Sequence, residues 1–359
     1  MSNLMQILSK NNIEIHNNKY KLLLLTVVFM LYSNASKSQD PIFSLFETTA
    51  MNFNPSHVGN TEYSRLAIGY RNQYPTYKSP FASYTAAYDL YVEELHSGFG
   101  LMIMHDNVGN GIFTTTSASL AYSTNIRLAE TMYVRGGLSM SYFDRRRNSN
   151  RLIFPDMPYF NGNIAYPSDF SSLKSSTIYV GFGLTLLVQN FKTGVALFNL
   201  GGQELANPSL ISVPAPVKVT GYVAFDIPVI QRYNIKAIKE TLFAVSPYVR
   251  YIRQYDFEDV DIGAYFDFNT VFVGVAHRSE MKFKNSTFVI AAGLRTKNFN
   301  IAYSSNFGNL GSGTHYISAH EISLILKLKN IKAEYLMKGI YSDKQPNEYQ
   351  RNRIYKCPY

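Results

Sequence analysis

The chain has 359 residues, 34 Lys and Arg against 25 Asp and Glu for a formal net charge of +9, with 28 Tyr, 24 Phe, no Trp and one cysteine. A single thiol, Cys357, excludes a fold held by intramolecular disulfides. The densest basic run is Arg145-Arg146-Arg147, and no nucleic-acid module surrounds it, so a solvated loop or a contact with acidic lipopolysaccharide or protein accounts for it.

The chain begins like an export signal. Lys19 and Lys21 precede the apolar run Leu22 to Tyr32, and the small residues Ser36 and Ser38 follow it before Gln39. At about 11 residues the run is too short for a transmembrane helix, which needs about 20. Cleavage is expected after Ser38, making residues 1–38 a signal peptide. Without Lys10, Lys19, Lys21, Lys37 and Glu14 the charge falls to about +6, so part of the basicity belongs to the signal. No cysteine stands just behind the apolar run, which argues against a lipid anchor.

Residues 39–62 carry Phe43, Phe46, Phe53 and the pair Asn54-Pro55 without strand alternation. Aromatic groups of this density do not stay solvated, so the segment is expected to fold into the periplasmic mouth of whatever follows and help to block it. Phe43, Phe46, Asn54 and Pro55 are its candidate plug residues.

From residue 63 to 329 the pattern changes. Apolar and polar residues alternate in segments of about ten, the period of a strand with one apolar and one polar face. Fourteen strands are expected. The first seven are Ser64 to Tyr74, Ala82 to Glu93, Ser97 to Asp106, Phe113 to Ile126, Thr131 to Phe143, Ser176 to Val188 and Asn190 to Phe198. The others are Pro216 to Ile227, Phe243 to Arg253, Phe257 to Phe268, Thr270 to His277, Ser286 to Thr296, Asn298 to Asn306 and Ile317 to Leu328.

In the eighth, Val217, Val219, Gly221, Val223, Phe225 and Ile227 face one way, and Lys218, Thr220, Tyr222 and Asp226 the other. The polar set also contains Arg65, Arg71, Asp89, Arg135, Arg250, Asp261, Asp267, Arg295, Glu321 and Lys327, a mixture of both signs suited to ion pairs across an enclosed space. Arg65, Arg71, Arg135, Asp261 and Glu321 are the candidate lumen residues. Behind an export signal this is the pattern of an all-β transmembrane antiparallel barrel. A soluble sandwich also alternates, but its aromatics are mostly internal.

Connections alternate in length. Short turns are expected at Glu94 to His96, Arg127 to Glu130, Gln189, Asn269 and Lys297, with Pro228 to Leu242 as the exception. Longer ones are Asp144 to Ser175, Asn199 to Ala215 and Phe307 to Tyr316. Outer-membrane barrels have short periplasmic turns and long outer loops, so both ends are expected on the periplasmic side. The polar residues 330–359 then form a periplasmic tail. Because an unpaired amide in hydrocarbon costs several kcal/mol, the last strand must pair with the first. Fourteen strands enclose more space than their own side chains fill, since about eight suffice for a packed interior.

Chemistry-bearing motifs are scarce. His57, His96, His105, His277, His315 and His320 are scattered without an HExxH, CxxC or GxSxG frame, and no catalytic, metal or cofactor site is expected. Asp106 to Gly111 lacks the spacing of a calcium loop and reads as an exposed turn in which Gly and Asn take positive φ. Gly136-Gly137 and Gly201-Gly202 read as sites of curvature or of close packing by a plug.

Several of these pieces resemble one family. Gln39-Asp40-Pro41-Ile42-Phe43-Ser44, then Asn54-Pro55-Ser56-His57-Val58-Gly59, then Tyr70-Arg71-Asn72-Gln73-Tyr74 are similar to the QDPxFSxY, NPAxAG and YRNQW pieces of the PorP/SprF family of type IX secretion proteins. Further matches are Ala82 to Asp89, Gly98 to Met104, Thr114 to Tyr122, Arg151 to Phe154 and His320 to Leu324. Tyr74 replaces a tryptophan, Ser56-His57-Val58 departs from the usual small residues, and the tail lies beyond the usual last strand.

The resemblance implies an outer-membrane barrel with two kinds of partner. One comprises the periplasmic secretion or gliding machinery and its peptidoglycan-anchoring protein; the other is a secreted adhesin or similar cargo recognised by its C-terminal domain. Outer-membrane lipids surround the barrel. Arg145, Arg146, Arg147, Phe154, Tyr159 and Phe160 in the longest outer connection are the candidate partner-binding residues. The competing expectation is a diffusion channel or transporter for small solutes.

Overall fold

A computed structural model describes residues 40–61, 63–75, 81–148, 159–160, 163–164, 173–206, 215–233, 239–255, 257–280, 286–309 and 315–328. The strands are β1 Ser64–Gln73, β2 Phe81–Val92, β3 Ser97–Val108, β4 Phe113–Ala129, β5 Met132–Arg147, β6 Tyr159–Phe160, β7 Asn163–Ile164, β8 Leu173–Val188 and β9 Phe191–Ala206. They continue as β10 Lys218–Phe225, β11 Ile227–Tyr233, β12 Lys239–Gln254, β13 Phe257–Phe268, β14 Val271–Glu280, β15 Ser286–Arg295, β16 Phe299–Asn309 and β17 His315–Leu328.

Every barrel strand pairs antiparallel with its neighbours, and β17 pairs with β1 from Ser64↔Leu328 to Gln73↔Ala319. The pairing of β10 with β12 completes a closed barrel of 14 strands. Closure removes the bare sheet edge that hydrocarbon does not tolerate. β6 and β7 form a separate small hairpin within the β5–β8 connection.

The alternation sorts the side chains as the strand period requires. Val223, Phe225, Phe299, Ile301 and Tyr303 are exposed on the outer wall, while Lys218, Thr220, Tyr222, Asn300, Ser304 and Asn306 are buried within. Aromatic pairs such as Tyr70–Tyr84 and Phe191–Phe225, with ring centroids 5.1 and 4.8 Å apart, tie neighbouring strands on the outside. Gly109, Asn110 and Gly111 take positive φ in the β3–β4 turn, as the composition of that turn requires.

Two differences from the sequence reading have physical causes. β4, β5, β8, β9 and β12 run several residues past the expected ends, because polar residues such as Asp144 to Arg147 keep pairing once the ladder leaves the apolar band. Pro228 to Leu242 is not a plain connection: after a break at Asp226 the chain continues as β11, which among the described residues pairs only with β12 and carries a register shift between Pro228 and Ile230. Proline cannot donate to a ladder, so an edge is the position open to it. The resulting ribbon extends from the rim that carries the short turns.

Candidate functional site

Inside the barrel lies the segment before β1. It folds as a 3-10 turn, Phe46–Thr49, a helical turn, Ala50–Phe53, and a second 3-10 turn, Pro55–His57. Asn54 caps the last turn: its Oδ1 accepts from the Ser56 amide at 2.9 Å and from the Ser56 hydroxyl at 2.7 Å, and Pro55 follows at the first position, where no amide is needed. The same Asn54 side chain donates through Nδ2 to the carbonyls of Leu184 and Val195, each at 3.2 Å. A single Asn-Pro-Ser unit thus shapes the turn and fastens it to β8 and β9.

Arg135, 1% exposed on β5, grips the next stretch. Its guanidinium donates to the carbonyls of Ser56 at 2.9 Å and Val58 at 2.7 Å, to Asn60 Oδ1 at 2.8 Å and to Ser123 Oγ at 3.1 Å. Asp89 on β2 accepts from the Gly59 amide at 3.0 Å and from Arg65 Nε at 2.7 Å. Glycines let the two backbones meet. A Cβ on Gly137 would stand 2.2 Å from the Ser56 amide nitrogen, and one on Gly98 2.2 Å from the Val58 carbonyl oxygen, so both wall positions require a bare Cα.

The upstream end is held by Glu321 on β17, 1% exposed. Its carboxylate pairs with Arg71 on β1 and accepts the amides of Ser44 and Leu45 at 2.8 to 2.9 Å. Glu47 bonds Arg295 at 2.8 Å, Arg295 also pairs with Asp267, and Lys218 Nζ donates to Asn52 at 2.9 Å. Beside them Asp261 bridges Arg250 at 2.8 Å and Arg278 at 2.7 Å. Each of these buried charges has an opposite partner or a hydrogen-bond acceptor, the condition for keeping charge out of water.

Apolar packing fills the rest. Phe46 meets Phe53 edge-on with centroids 4.7 Å apart within a cluster that includes Tyr222, Tyr248, Tyr265 and Phe272, and Phe43, Met51 and Val58 join Met102 and Met104 in a second cluster. Of the cavities left between segment and wall, one beside Phe46 and Arg250 holds about 10 Å³ and one beside Met51 and Lys218 about 20 Å³, each room for at most a single water.

His57 is enclosed with these groups, its ring 5.6 Å from Phe46 and 5.2 Å from Tyr222. Burial pushes its imidazole down to about 3, and the nearby charges of Arg135, Arg65 and Lys192 add to the shift. A docked His57 stays neutral, whereas an undocked one takes up a proton near 6.5. Stability of the docked segment from this source is complete above pH 6.5 and declines as pH falls toward 3, by up to ~1.4 kcal/mol per pH unit. Protease protection of residues 43–61 is therefore expected to weaken between pH 7 and pH 4 in wild type, and to weaken less in His57→Gln.

The candidate residues fall into three groups. Phe43, Phe46, Asn54, Pro55, Arg65, Arg71, Arg135 and Glu321 come together around the lumen segment, and Asp261 stands beside it in the arginine pair network. The segment meets Arg65, Asp89 and Arg295 close to the rim that carries the short turns. It lies within the lumen from the level of Arg65 to that of Arg71, because its polar partners are spread along that height of the wall.

Arg145-Arg146-Arg147 does not form one patch, because alternate strand residues point to opposite faces. Arg145 turns inward over Phe143 and Tyr179 with centroid distances of 4.9 and 5.8 Å, while Arg146 is exposed and paired with Asp144. Tyr159 and Phe160 form β6, and Phe154 lies outside the described residues. Sequence reading missed Gly98 and Thr185 as partners of the segment and Ser44 as its link to Glu321, whereas Gly137 was marked for curvature or close packing by a plug. The glycines were the one visible signal.

Comparison with known proteins agrees with this architecture. Among solved structures the chain is similar to the CymD monoaromatic hydrocarbon channel, with a TM-score of 0.51 and 11% identity over 79% of this chain and 93% of that one. It is also similar to the P. putida toluene transporter TodX, with a TM-score of 0.46 and 8% identity over 77% and 93%. At 11% identity the likeness to CymD shows the barrel alone. A search of curated protein sequences returns no match. The model of the type IX secretion system membrane protein family PorP/SprF, however, matches residues 35–326. That span holds both the barrel and the Asn-Pro-Ser turn docked within it, and the chain belongs to the PorP/SprF family of type IX secretion system outer-membrane proteins.

Proposed function

We propose that the protein is a nonenzymatic docking and anchoring component of type IX secretion. Its outer connections, Asp144 to Ser175 and Asn199 to Ala215, bind the C-terminal domain of a secreted surface protein such as an adhesin. Its periplasmic turns, the β11–β12 ribbon and the tail touch the secretion or gliding machinery and a peptidoglycan-anchoring protein. The observation that carries this reading is the occupied lumen. A barrel whose lumen holds its own segment, bound by Arg135 on β5 and Glu321 on β17, has its rims and loops rather than a bore available for work. Rigid strands hold such loops in register, which suits recognition.

The competing reading, a channel for small solutes, is favoured by the fold likeness alone, and that likeness extends to barrels in general. Two measurements separate them. Removing residues 149–172 while keeping β5 and β8 is expected to abolish surface display of the cargo, with the barrel still assembled and solute uptake unchanged. Full display in that variant, or a steady open conductance of the wild-type protein in planar bilayers, would overturn the docking reading.

A further inference from the structure

The outer wall is not uniformly convex. Across β2 to β5 and β8 it holds an open cleft of about 570 Å³, bounded by Leu101, Leu120, Tyr122, Leu138, Met140 and Val180, with the backbone of the inward-facing Gly100 and Ala121 at its floor. Those six bounding side chains are exposed on the face that meets hydrocarbon.

Higher on the same strands the outward residues change character. On β5 the order is Met140, Tyr142, Asp144, Arg146, and on β8 it is Val180, Ile178, Ser176, Lys174, with Arg146 directly opposite Lys174. Arg146 reaches Asp144 Oδ2 at 2.7 Å and Lys174 reaches the same oxygen at 3.7 Å, yet their side chains remain 62% and 56% exposed. One carboxylate holds two cations side by side and neutralises only one of them. The remaining charge stands at the edge of the apolar band, where lipid headgroups begin.

The spacing joins the two features. Arg146 stands above Met140, and Lys174 above Val180, by ~20 Å of strand at about 3.3 Å per residue, or ~15 Å of depth for a strand tilted by about 40°. That is half of a hydrocarbon core of ~30 Å, the reach of one leaflet's acyl chains. We propose that this wall binds one phosphorylated glycolipid of the outer leaflet, its phosphate on Arg146 and Lys174 and its acyl chains in the cleft. The excess positive charge selects an anionic headgroup over a zwitterionic one.

The full chain, extracted from outer membranes and washed by detergent exchange, is tested by mass spectrometry for lipid A and phosphatidylethanolamine. Wild type is expected to retain lipid A at about one per barrel after washing. The double variant Arg146→Glu with Lys174→Glu should retain at least fivefold less, and Leu138→Trp, which fills the cleft, should also lose it. Heat-modifiable migration on gels shows that the variants remain folded barrels. Unchanged lipid A in the charge-reversed barrel, phosphatidylethanolamine retained equally well by wild type, or a second protein chain occupying this wall in place of lipid would each overturn the proposal.

Discussion

Replacing Arg135 by alanine is expected to release the lumen segment while leaving the barrel closed. The guanidinium donates to the carbonyls of Ser56 and Val58 and to the Asn60 side chain, all buried, and shares the Val58 carbonyl with Ser123 Oγ, which donates to it at 2.6 Å. Its removal takes the donor from the Ser56 carbonyl and Asn60 Oδ1 and leaves the Val58 carbonyl to Ser123, at about 1–3 kcal/mol for a buried group left unsatisfied, and opens a void where the side chain stood. The barrel ladders do not depend on Arg135, so the effect falls on the segment. Two readouts follow: trypsin and chymotrypsin should cut within residues 43–61 of Arg135→Ala but not of wild type, and bilayer conductance should rise. A variant as protected and as silent as wild type would show that the clamp is dispensable.

Glu321→Ala is expected to act at the other end and more severely on the barrel itself. Glu321 balances Arg71 across the β1–β17 seam and accepts two amides from Ser44 and Leu45. Without it a buried guanidinium loses its counter-ion and two buried amides lose their acceptor, about 3–5 kcal/mol by the cost of an orphaned buried charge. Because the seam closes the barrel, the loss should lower the temperature at which heat-modifiable migration disappears, as well as freeing the segment. The double variant Arg71→Met with Glu321→Met removes both charges and should recover much of the barrel's thermal stability but not the docking of Ser44. If single and double variants melt alike, the ion pair is not what holds the seam.

Much of this architecture was legible before any coordinates, and the reason is geometric. In Pro216 to Ile227 or Asn298 to Asn306, side chains alternate between hydrocarbon and an enclosed polar space, and that two-fold sorting is written directly into residue order. Lys218, Asn300 and Glu321 were assignable to the lumen on parity alone. Strand ends were less legible. Beyond the apolar band, residues such as Asp144 to Arg147 keep their ladder bonds although both faces are polar, so the alternation disappears while the strand continues. The same rule explains the basic triplet, which looks like one patch in sequence and is split between two faces in space.

The lumen site was legible only in outline. Phe43, Phe46 and Asn54-Pro55 marked a segment that needed burial, but nothing local told how high in the barrel it would lie. Its position is decided by Arg135, Asp89, Thr185 and Glu321, which come from four different strands and are separated from it by 30 to 277 residues of chain.

The sequence by itself determined the kind of molecule: alternating strands, an apolar outer face and a charged interior of both signs, because each strand must satisfy its two environments one residue at a time. Only the tertiary structure decided that Ser44 seats on Glu321 and Ser56 on bare Gly137, that β11 stands outside the barrel, and that Arg146 and Lys174 share one carboxylate above an apolar cleft. Those pairings depend on strand register and barrel closure, which bring distant residues to the same height, and no local pattern encodes that height.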